Sequence, residues 1–455
     1  MNIINKIVFR ILRDIFAAKL PQTKLEDSMD LYQDLHMEPL HLLELLLTLS
    51  AVFDLRITKN DTLKLRKIGD IRRFIENAVP PQDIPAAASR LENMTYVNIF
   101  SAMAWKIGII SNEIVDILEE AFAMKVGDRG VDMSGIRITS LYLMQNIEGG
   151  CKANCAFCIQ SRDSSRERKD KMLIDLKLCR LPMPTLARHI RGGLLEKLGI
   201  ERICLQTVFN PQTVDNLVGL VSSLNSVTSI PLTACSIPVS KEIMVRLKEA
   251  GLDMISINYE VATPELFYEL RGPGRKGPYT WEGTTEALAH AREVFGAYKV
   301  GSHLLVGLGE TQRDVLALIQ ELKDKQIRVS LFAFKPLPGT ALENRKDRIS
   351  YGDYHRIQLG SYLIQNDRCK FDDFIFGADG RIVGYGIEES KLRELILSGI
   401  PFMNRGCPGC NRVFVDNLPG ERFYSYPRKP TAAEIACIAG ELSIKDNVGV
   451  PIPDK

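Results

Sequence analysis

The sequence predicts an α/β protein, a (β/α) TIM-like barrel preceded by an all-α N-terminal domain. Three observations predict it. From residue 140 onward, short apolar runs of strand character alternate with amphipathic helical runs. Before residue 80, apolar residues recur at helical spacing instead. Three cysteines, Cys151, Cys155 and Cys158, directly follow the first expected barrel strand, and the C-terminal ends of barrel strands are where chemistry gathers.

Met1–Leu20 carries Ile4, Ile7, Ile11 and Ile15 on one stripe, interrupted by Lys6, Arg10, Arg13 and Asp14. It lacks the apolar centre of a signal peptide and reads as a packed first helix rather than a membrane-surface one. Leu40, Leu42, Leu43, Leu45, Leu46, Leu49 and Phe53 make a second, strongly periodic helix. His36 and His41 flank its start and read as surface residues. Pro80, Pro81 and Pro85 with Ala86–Ala88 mark a linker. Residues 90–128 read as helical, with Ile109, Ile114, Ile117, Leu118 and Phe122 apolar.

Expected barrel strands are Ser140–Ile147, Arg202–Val208, Pro231–Ser236, Met254–Tyr259, Val300–Val306, Val329–Lys335 and Phe374–Phe376. Helical runs such as Lys241–Ala250 and Gln312–Asp324 separate most of them. Asp379-Gly380 reads as a tight hairpin turn. The chain thus divides into a helical domain (1–80), a helical linker (81–130), a barrel (131–395) and a C-terminal segment (396–455).

Across 455 residues, 58 Lys and Arg face 56 Asp and Glu, a formal charge of +2. That balance gives no basis for nucleic-acid binding. No apolar stretch reaches the length of a membrane span. Ten cysteines in such a chain point to metal ligation in a reducing cytoplasm rather than to disulfides.

The C-x₃-C-x₂-C run presents three thiolates to one face of a cubane iron–sulfur cluster and leaves its fourth iron open. The alternative is zinc, or three unrelated core cysteines. Zinc favours sets of four Cys and His ligands, and no histidine lies within thirty residues of the run. Cys407 and Cys410 form a C-x₂-C knuckle, itself a metal-binding spacing. His303, alternating with Leu304, can face a barrel cavity. Arg162, Arg166, Arg168 and Lys169 read as a solvated basic loop, or as a contact for an acidic carrier protein.

The first run, with Phe157 before its third cysteine, resembles the signature of the radical S-adenosyl-L-methionine (SAM) superfamily. The resemblance implies a 4Fe–4S cluster on Cys151, Cys155 and Cys158, with the amino and carboxylate groups of SAM on its open iron. It also implies reductive cleavage of SAM to a 5′-deoxyadenosyl radical, fed by an electron donor such as ferredoxin or flavodoxin.

Residues 135–350 resemble biotin synthase in particular. Glu201-Arg202-Ile203-Cys204-Leu205-Gln206 and Thr233-Ala234-Cys235-Ser236 match strands that carry auxiliary-cluster cysteines there. Asn258-Tyr259-Glu260 matches residues lining the SAM and substrate pocket. Val306-Gly307-Leu308-Gly309-Glu310-Thr311 matches a loop near the adenine, which assigns Gly307, Gly309 and Glu310 to cofactor binding. The family's third auxiliary cysteine is replaced here by Gly301. Its arginine ligand has no clear match, since Arg381 lies beyond the expected turn. Cys407 and Cys410 would complete a four-thiolate auxiliary site with Cys204 and Cys235, unless the knuckle holds zinc with Cys369. Cys179 and Cys437 read as inert.

Cys407-Pro408-Gly409-Cys410-Asn411-Arg412, with Tyr424-Ser425-Tyr426-Pro427, resembles the archaeal-type, two-protein lipoyl synthases. This implies sulfur insertion into an octanoyl chain on a lipoyl-accepting domain or an H-protein-like carrier, alongside a second radical SAM protein. Asp34-Leu35-His36-Met37-Glu38-Pro39-Leu40 resembles an acyl carrier protein. Where that family's phosphopantetheine serine would stand, this chain has Pro39, so a docking or structural role follows. Other products remain open, namely biotin, another thiolated metabolite, or a rearranged one. So does a different class of function, an iron–sulfur scaffold or redox-regulatory protein that binds a partner.

Overall fold

The computed structural model describes residues 2–16, 24–100, 137–165, 178–411, 416 and 421–443. The apolar positions expected at 109–122, the basic residues at 166–169 and Arg412 lie outside them.

Helix α1 (Ile3–Ile15) starts at Asn2, whose side-chain oxygen accepts from Ile4 N–H. It buries Ile4, Ile7, Val8, Ile11, Leu12 and Ile15 against α2 (Pro39–Phe53), α4 (Ile68–Ala78) and α5 (Ile84–Glu92). A one-turn helix, α3 (Lys59–Thr62), links α2 to α4. The proline-rich stretch expected as a linker is part of this bundle. Pro85 sits in the first turn of α5, where a missing N–H is harmless, and Ile84, Ala87 and Leu91 are buried. His41, expected at the surface, is buried against Phe16 (centroids 4.7 Å apart). Its Nδ1 accepts from Glu38 N–H, which closes the start of α2. His36 is exposed as expected.

Helix α2 is apolar nearly all round and therefore needs cover on two sides. Leu42, Leu45, Leu46 and Leu49 face the helical core. Leu43 and Leu47 face the barrel core instead.

One eight-stranded sheet follows, in the order β3-β1-β2-β4-β5-β6-β7-β8. Six strands run parallel: β2 (Ser140–Gln145), β4 (Arg202–Gln206), β5 (Leu232–Ser236), β6 (Leu252–Ile257), β7 (Val300–Val306) and β8 (Arg328–Ala333). Helices cover their outer face, among them α8 (Thr213–Asn225), α9 (Lys241–Glu249), α11 (Trp281–Phe295) and α12 (Gln312–Asp324), with α6 (Met183–Ile190), α7 (Leu194–Lys197) and α10 (Pro264–Leu270) between strands. This mostly parallel α/β sheet is the barrel-like fold expected.

Three strands differ from expectation: Tyr96–Phe100 and Leu178–Pro182 were not expected, and the strand expected at Phe374–Phe376 is not in the barrel sheet but pairs in a separate two-stranded hairpin. β1 (Tyr96–Phe100) lies within the stretch read as helical and pairs antiparallel with both β2 and β3 (Leu178–Pro182). Tyr-Val-Asn-Ile-Phe is rich in the β-branched and aromatic residues that suit a pleated surface. Its partners lie far along the chain, so only tertiary pairing reveals it. The sheet therefore begins before residue 131.

Asp379-Gly380 turns the hairpin of β9 (Ile375–Phe376) and β10 (Ile382–Gly384), with Gly380 at φ 76°. Beyond α13 (Tyr351–Gln365), a small separate core joins Leu359 and Phe402 to Ile396 of α14 (Glu389–Ser398) and Ile438 of α15 (Ala432–Glu441). Among the described residues, no helix is long and apolar enough to cross a membrane.

Where α2 meets the barrel, Glu44 is half-buried as a residue, yet its carboxyl is enclosed and accepts Arg180 N–H at 3.2 Å. Burial pushes this carboxyl up to about 7, against the opposing charge of Arg180. A raised value favours the neutral acid in the fold. Its stabilisation is complete below the ordinary glutamate range and is lost as pH rises through about 7. Glu44→Gln keeps the acceptor without the charge. In chemical denaturation the variant should gain on the wild type between pH 5 and pH 8, by about 2 kcal/mol. A pH-independent difference would mean that the carboxyl is not enclosed.

Candidate iron–sulfur and SAM site

The triad occupies the loop after β2, at the C-terminal end of the parallel strands. Gly149 and Gly150 take positive φ (75° and 60°) to turn the chain off the strand. Asn210 Nδ2 then donates to the carbonyls of Gly150 (3.0 Å) and Glu148 (3.2 Å). Lys152 N–H donates to Phe209 C=O at 2.7 Å, and Phe209 N–H points at Cys151 Sγ at 3.4 Å. Buried Asn154 donates to Asp163 and to Arg275 C=O, and accepts from Ser161. The loop is thus tied down at both ends while Cys151, Cys155 and Cys158 stay partly accessible.

Burial pushes the Cys155 thiol up to about 11, opposed by the Arg271 guanidinium, and raises Cys158 further. Arg271 donates to Asn258 C=O and lies over the Tyr279 ring at 4.3 Å. Neither Arg271 nor Tyr279 was foreseen from sequence. The signal was the glycine-rich run Arg271-Gly272-Pro273-Gly274-Arg275-Lys276-Gly277. A Cβ at Gly277 would fall 2.1 Å from Arg271 O, so the loop folds back tightly enough to aim the arginine.

Asn258 and Glu260 leave the end of β6 together. Asn258 Nδ2 donates to Glu260 Oε1 at 3.0 Å, and Asn258 Oδ1 accepts from Ser256 Oγ and His303 N–H. Glu260 holds φ 65°, a left-handed conformation that strains a non-glycine residue, and pairs with Leu304 across the gap to β7. Gly307 (φ 105°) and Gly309 (φ 126°) bend the loop after β7. The Glu310 carboxylate accepts from Gly307 N–H and Leu308 N–H and so braces this loop. Burial raises its pKa against those N–H groups. Phe157 is half-buried and packs on the barrel core.

A second group of thiols lies deeper. Cys204 and Cys235 project from neighbouring strands with their sulfurs 3.9 Å apart. Gln206 Nε2 donates to Cys204 Sγ at 3.0 Å, and His303 Nε2 lies 3.9 Å from Cys235 Sγ. The Cys204 thiol is pushed well up by its hydrogen bond with Cys235, by burial, and by the proximity of Cys407 and Cys410. The C-terminal knuckle is thus near enough to add to the rise at Cys204.

Cys407–Cys410 does not close the mouth near the triad but docks at the N-terminal ends of the strands. Arg202 Nε donates to Pro408 C=O (2.6 Å), Asn411 accepts Thr139 N–H (3.2 Å), and Tyr142 Oη lies 3.2 Å from Cys410 Sγ. At Gly301 a Cβ would fall 3.2 Å from Ser256 Oγ, so a side chain there would require Ser256 to shift.

Cys369 sits apart, beside a 3₁₀ turn, where burial and Asp373 push its thiol up to about 12. Arg381 pairs with Asp353 at the hairpin. Cys437 is exposed, and the side chain of Cys179 lies outside the described residues. Among the described residues, no three Cys, His, Asp or Glu side chains close around a single ion. The fit to iron–sulfur clusters accordingly rests on donor type and placement: soft thiols, hydrogen-bonded from Phe209 and Gln206 and paired with Tyr142 Oη.

Residues 146–322 match the family model described as the radical SAM superfamily. The chain is similar to biotin synthases. That of Caulobacter sp. (strain K31) is 25% identical over 222 residues, 48% of this chain and 60% of the relative. Those of Acetivibrio thermocellus (24% over 260 residues, 56% and 74%) and Rickettsia felis (27% over 238 residues, 51% and 71%) are similar. The chain thus spans only about 60% of the length of the Caulobacter relative. Among solved structures, methylornithine synthase gives a TM-score of 0.39 at 18% identity, covering 58% of this chain and 72% of that one. The FeFe-hydrogenase maturase HydG from Carboxydothermus hydrogenoformans gives 0.39 at 20%, covering 62% and 61%.

Asn210 holds two carbonyls of the triad loop without touching a sulfur. Asn210→Ala should weaken iron retention at the triad by roughly 10- to 100-fold in chelator competition, with unchanged circular dichroism. Retention equal to the wild type would show that the loop holds its shape without this anchor.

Proposed function

We propose that this chain is a radical SAM sulfurtransferase that inserts sulfur into unactivated C–H bonds of an aliphatic chain. One observation carries the reading: the three-cysteine loop lies at the C-terminal end of the parallel strands, Cys204 and Cys235 lie side by side on two of those strands, and Cys407 and Cys410 dock at the strands' N-terminal ends. A radical generated at the first end and a sulfide held at the second would meet a substrate lying between them. The likeness to biotin synthases, which are sulfur-inserting enzymes, supports the same chemistry.

When bound, SAM and a 4Fe–4S cluster on Cys151, Cys155 and Cys158 supply a 5′-deoxyadenosyl radical, and an auxiliary cluster on Cys204, Cys235, Cys407 and Cys410 supplies sulfur. The chain's own residues do the positioning. The Asn258–Glu260 pair and the loop braced by Glu310 form the floor on which SAM is oriented. Arg271 puts a positive charge beside the cysteine loop. His303, packed edge-on against Phe332 (centroids 4.9 Å apart), stands between the SAM residues and Cys235. Phe332 and Leu305 make part of the lumen apolar, which protects a primary radical from water.

The preferred substrate is an octanoyl chain on a lipoyl-accepting protein, with ferredoxin or flavodoxin as donor and a second radical SAM protein as partner. The short C-terminal motif carries that preference. The carrier-like N-terminal helices serve structure in this reading, because α2 is covered on both faces.

Mössbauer spectra of anaerobically reconstituted protein test the proposal. A Cys151/Cys155/Cys158→Ala variant should keep one cluster, and further Cys407→Ala and Cys410→Ala changes should abolish it. Cys407→Ala alone should still cleave SAM but transfer no sulfur to an octanoylated lipoyl domain, read by mass spectrometry. A triple variant that holds no iron would remove the sulfur donor and the proposal with it.

A further inference from the structure

The N-terminal end of the barrel carries a cavity of about 260 Å³, lined by Arg328, Lys323, Arg405 and Tyr298 and by both knuckle cysteines, Cys407 and Cys410. It lies at the end of the strands opposite the Cys151 loop. Its volume suits a small molecule and excludes a folded partner.

The charges around it are unequally compensated. Lys323 is paired with Asp367 at 2.9 Å and also donates to Tyr298 Oη. Arg328 Nε donates to Tyr298 C=O at 2.9 Å. Arg405 stacks over the Tyr362 ring at 4.2 Å and reaches Asn366 Oδ1 only at 3.5 Å. Its Nε is buried without a hydrogen-bond acceptor. Among the described residues, neither arginine is paired with a carboxylate. Burial of the Arg405 guanidinium, offset only by the Tyr362 side chain, is unfavourable, and an anion in the cavity would relieve it.

The thiols are graded by depth. Cys204 and Cys235 are buried in the lumen, while Cys407 and Cys410 stand partly accessible on the cavity wall. A small anion held by the two arginines therefore meets the knuckle first, with the strand cysteines behind it.

We propose that this cavity is a port that binds a small anionic sulfur compound, hydrosulfide or a small thiolate, next to Cys407 and Cys410. The sulfur-replenishing role rests on the auxiliary-site reading above. Hydrosulfide bound there would replace sulfide lost towards the substrate, its proton leaving to solvent, from the other end of the barrel, so refilling would not require the SAM pocket to empty. A thiolate, whose sulfur is bonded to carbon, would occupy the port without refilling it.

Charge-selective alkylation of the full-length, iron-free protein tests the port. Iodoacetate and iodoacetamide both react by thiolate displacing iodide, and they differ in charge. Their rate ratio cancels differences in thiol ionisation and is read at each cysteine by peptide mass spectrometry. Exposed Cys437 serves as the reference.

At Cys407 and Cys410 the iodoacetate-to-iodoacetamide ratio should exceed that at Cys437 by roughly 10-fold or more at low salt. The double variant R328Q/R405Q should bring it down to the Cys437 value, and Arg405→Lys, which keeps charge and bulk, should preserve it. Sodium hydrosulfide and 2-mercaptoethanesulfonate, added separately, should slow iodoacetate at these two sites more than at Cys437, which corrects for the reagent each consumes in solution, and whichever competes at the lower concentration is the preferred ligand. A ratio equal to that of Cys437, or one unchanged in the double variant, would overturn the port. Selectivity without competition from either compound would overturn anionic sulfur as its ligand. Because no iron is present, failure of the auxiliary-cluster reading shows separately, as charge selectivity in a protein that never reconstitutes a second cluster.

Discussion

Crowding thiols out of water is the constraint on which this barrel turns. A buried thiol stays protonated, because its thiolate would be both desolvated and repelled by its neighbours. Cys155, Cys158 and Cys204 are all pushed up for these reasons. Neutral cysteines behave as small apolar groups, so Cys204 and Cys235 can sit in the lumen at little cost before any metal arrives. Ligation demands the thiolates. Metal ligation by thiols such as these would release protons and bring in compensating positive charge, and would then contribute to the stability of the fold. The two sites are prepared differently. The triad has a backbone N–H and the charge of Arg271 at hand, while the deeper set has the neutral partners Gln206 and Tyr142.

The second constraint is a buried charge. Arg202 is almost fully enclosed at the start of β4, and a guanidinium there must be paired and hydrogen-bonded. It is held by Asp253, by Thr233 Oγ1 and by the carbonyl of Pro408. Burial works to raise the Asp253 carboxyl, but Lys299 and Arg202 outweigh it and hold the group below the usual carboxylate range. One element of this network belongs to the C-x₂-C knuckle itself. The polar floor of the barrel and the position of the C-terminal cysteines are thereby a single arrangement. Arg202 thus fixes where the distant C-terminal segment meets the strands.

Much of this was legible in the sequence because the signals are local. The parallel strands read as apolar runs, and the triad reads from its spacing. Long-range pairing was not legible. Tyr96–Phe100 is a strand because β2 and β3 flank it, and nothing within the segment announces those partners. The face of the barrel that receives Cys407 and Cys410 follows from Arg202, whose role as a buried anchor cannot be told from a surface arginine by residue type. His41 misled for a related reason. A histidine at a helix start reads as exposed, yet here it caps the helix and fills space beside Phe16. Pro85 looked like a break in the chain and instead begins a helix.

Helix α2 shows how the N-terminal helices and the barrel became one body. In an amphipathic helix the polar face is left to solvent, but Leu42, Leu43, Leu45, Leu46, Leu47 and Leu49 encircle this one. Half of that surface completes the helical core, and Leu43 and Leu47 complete the barrel core beside β3. β3 is an edge strand of the sheet, and an uncovered edge is an invitation to wrong pairing. Docking α2 there protects the edge region and at the same time encloses the one carboxyl, Glu44, that meets the Arg180 backbone. A helix so engaged has no free face on which to present a tethered group. Through α2 these helices pack against the antiparallel side of the sheet, from which β2 leads directly into the cysteine loop.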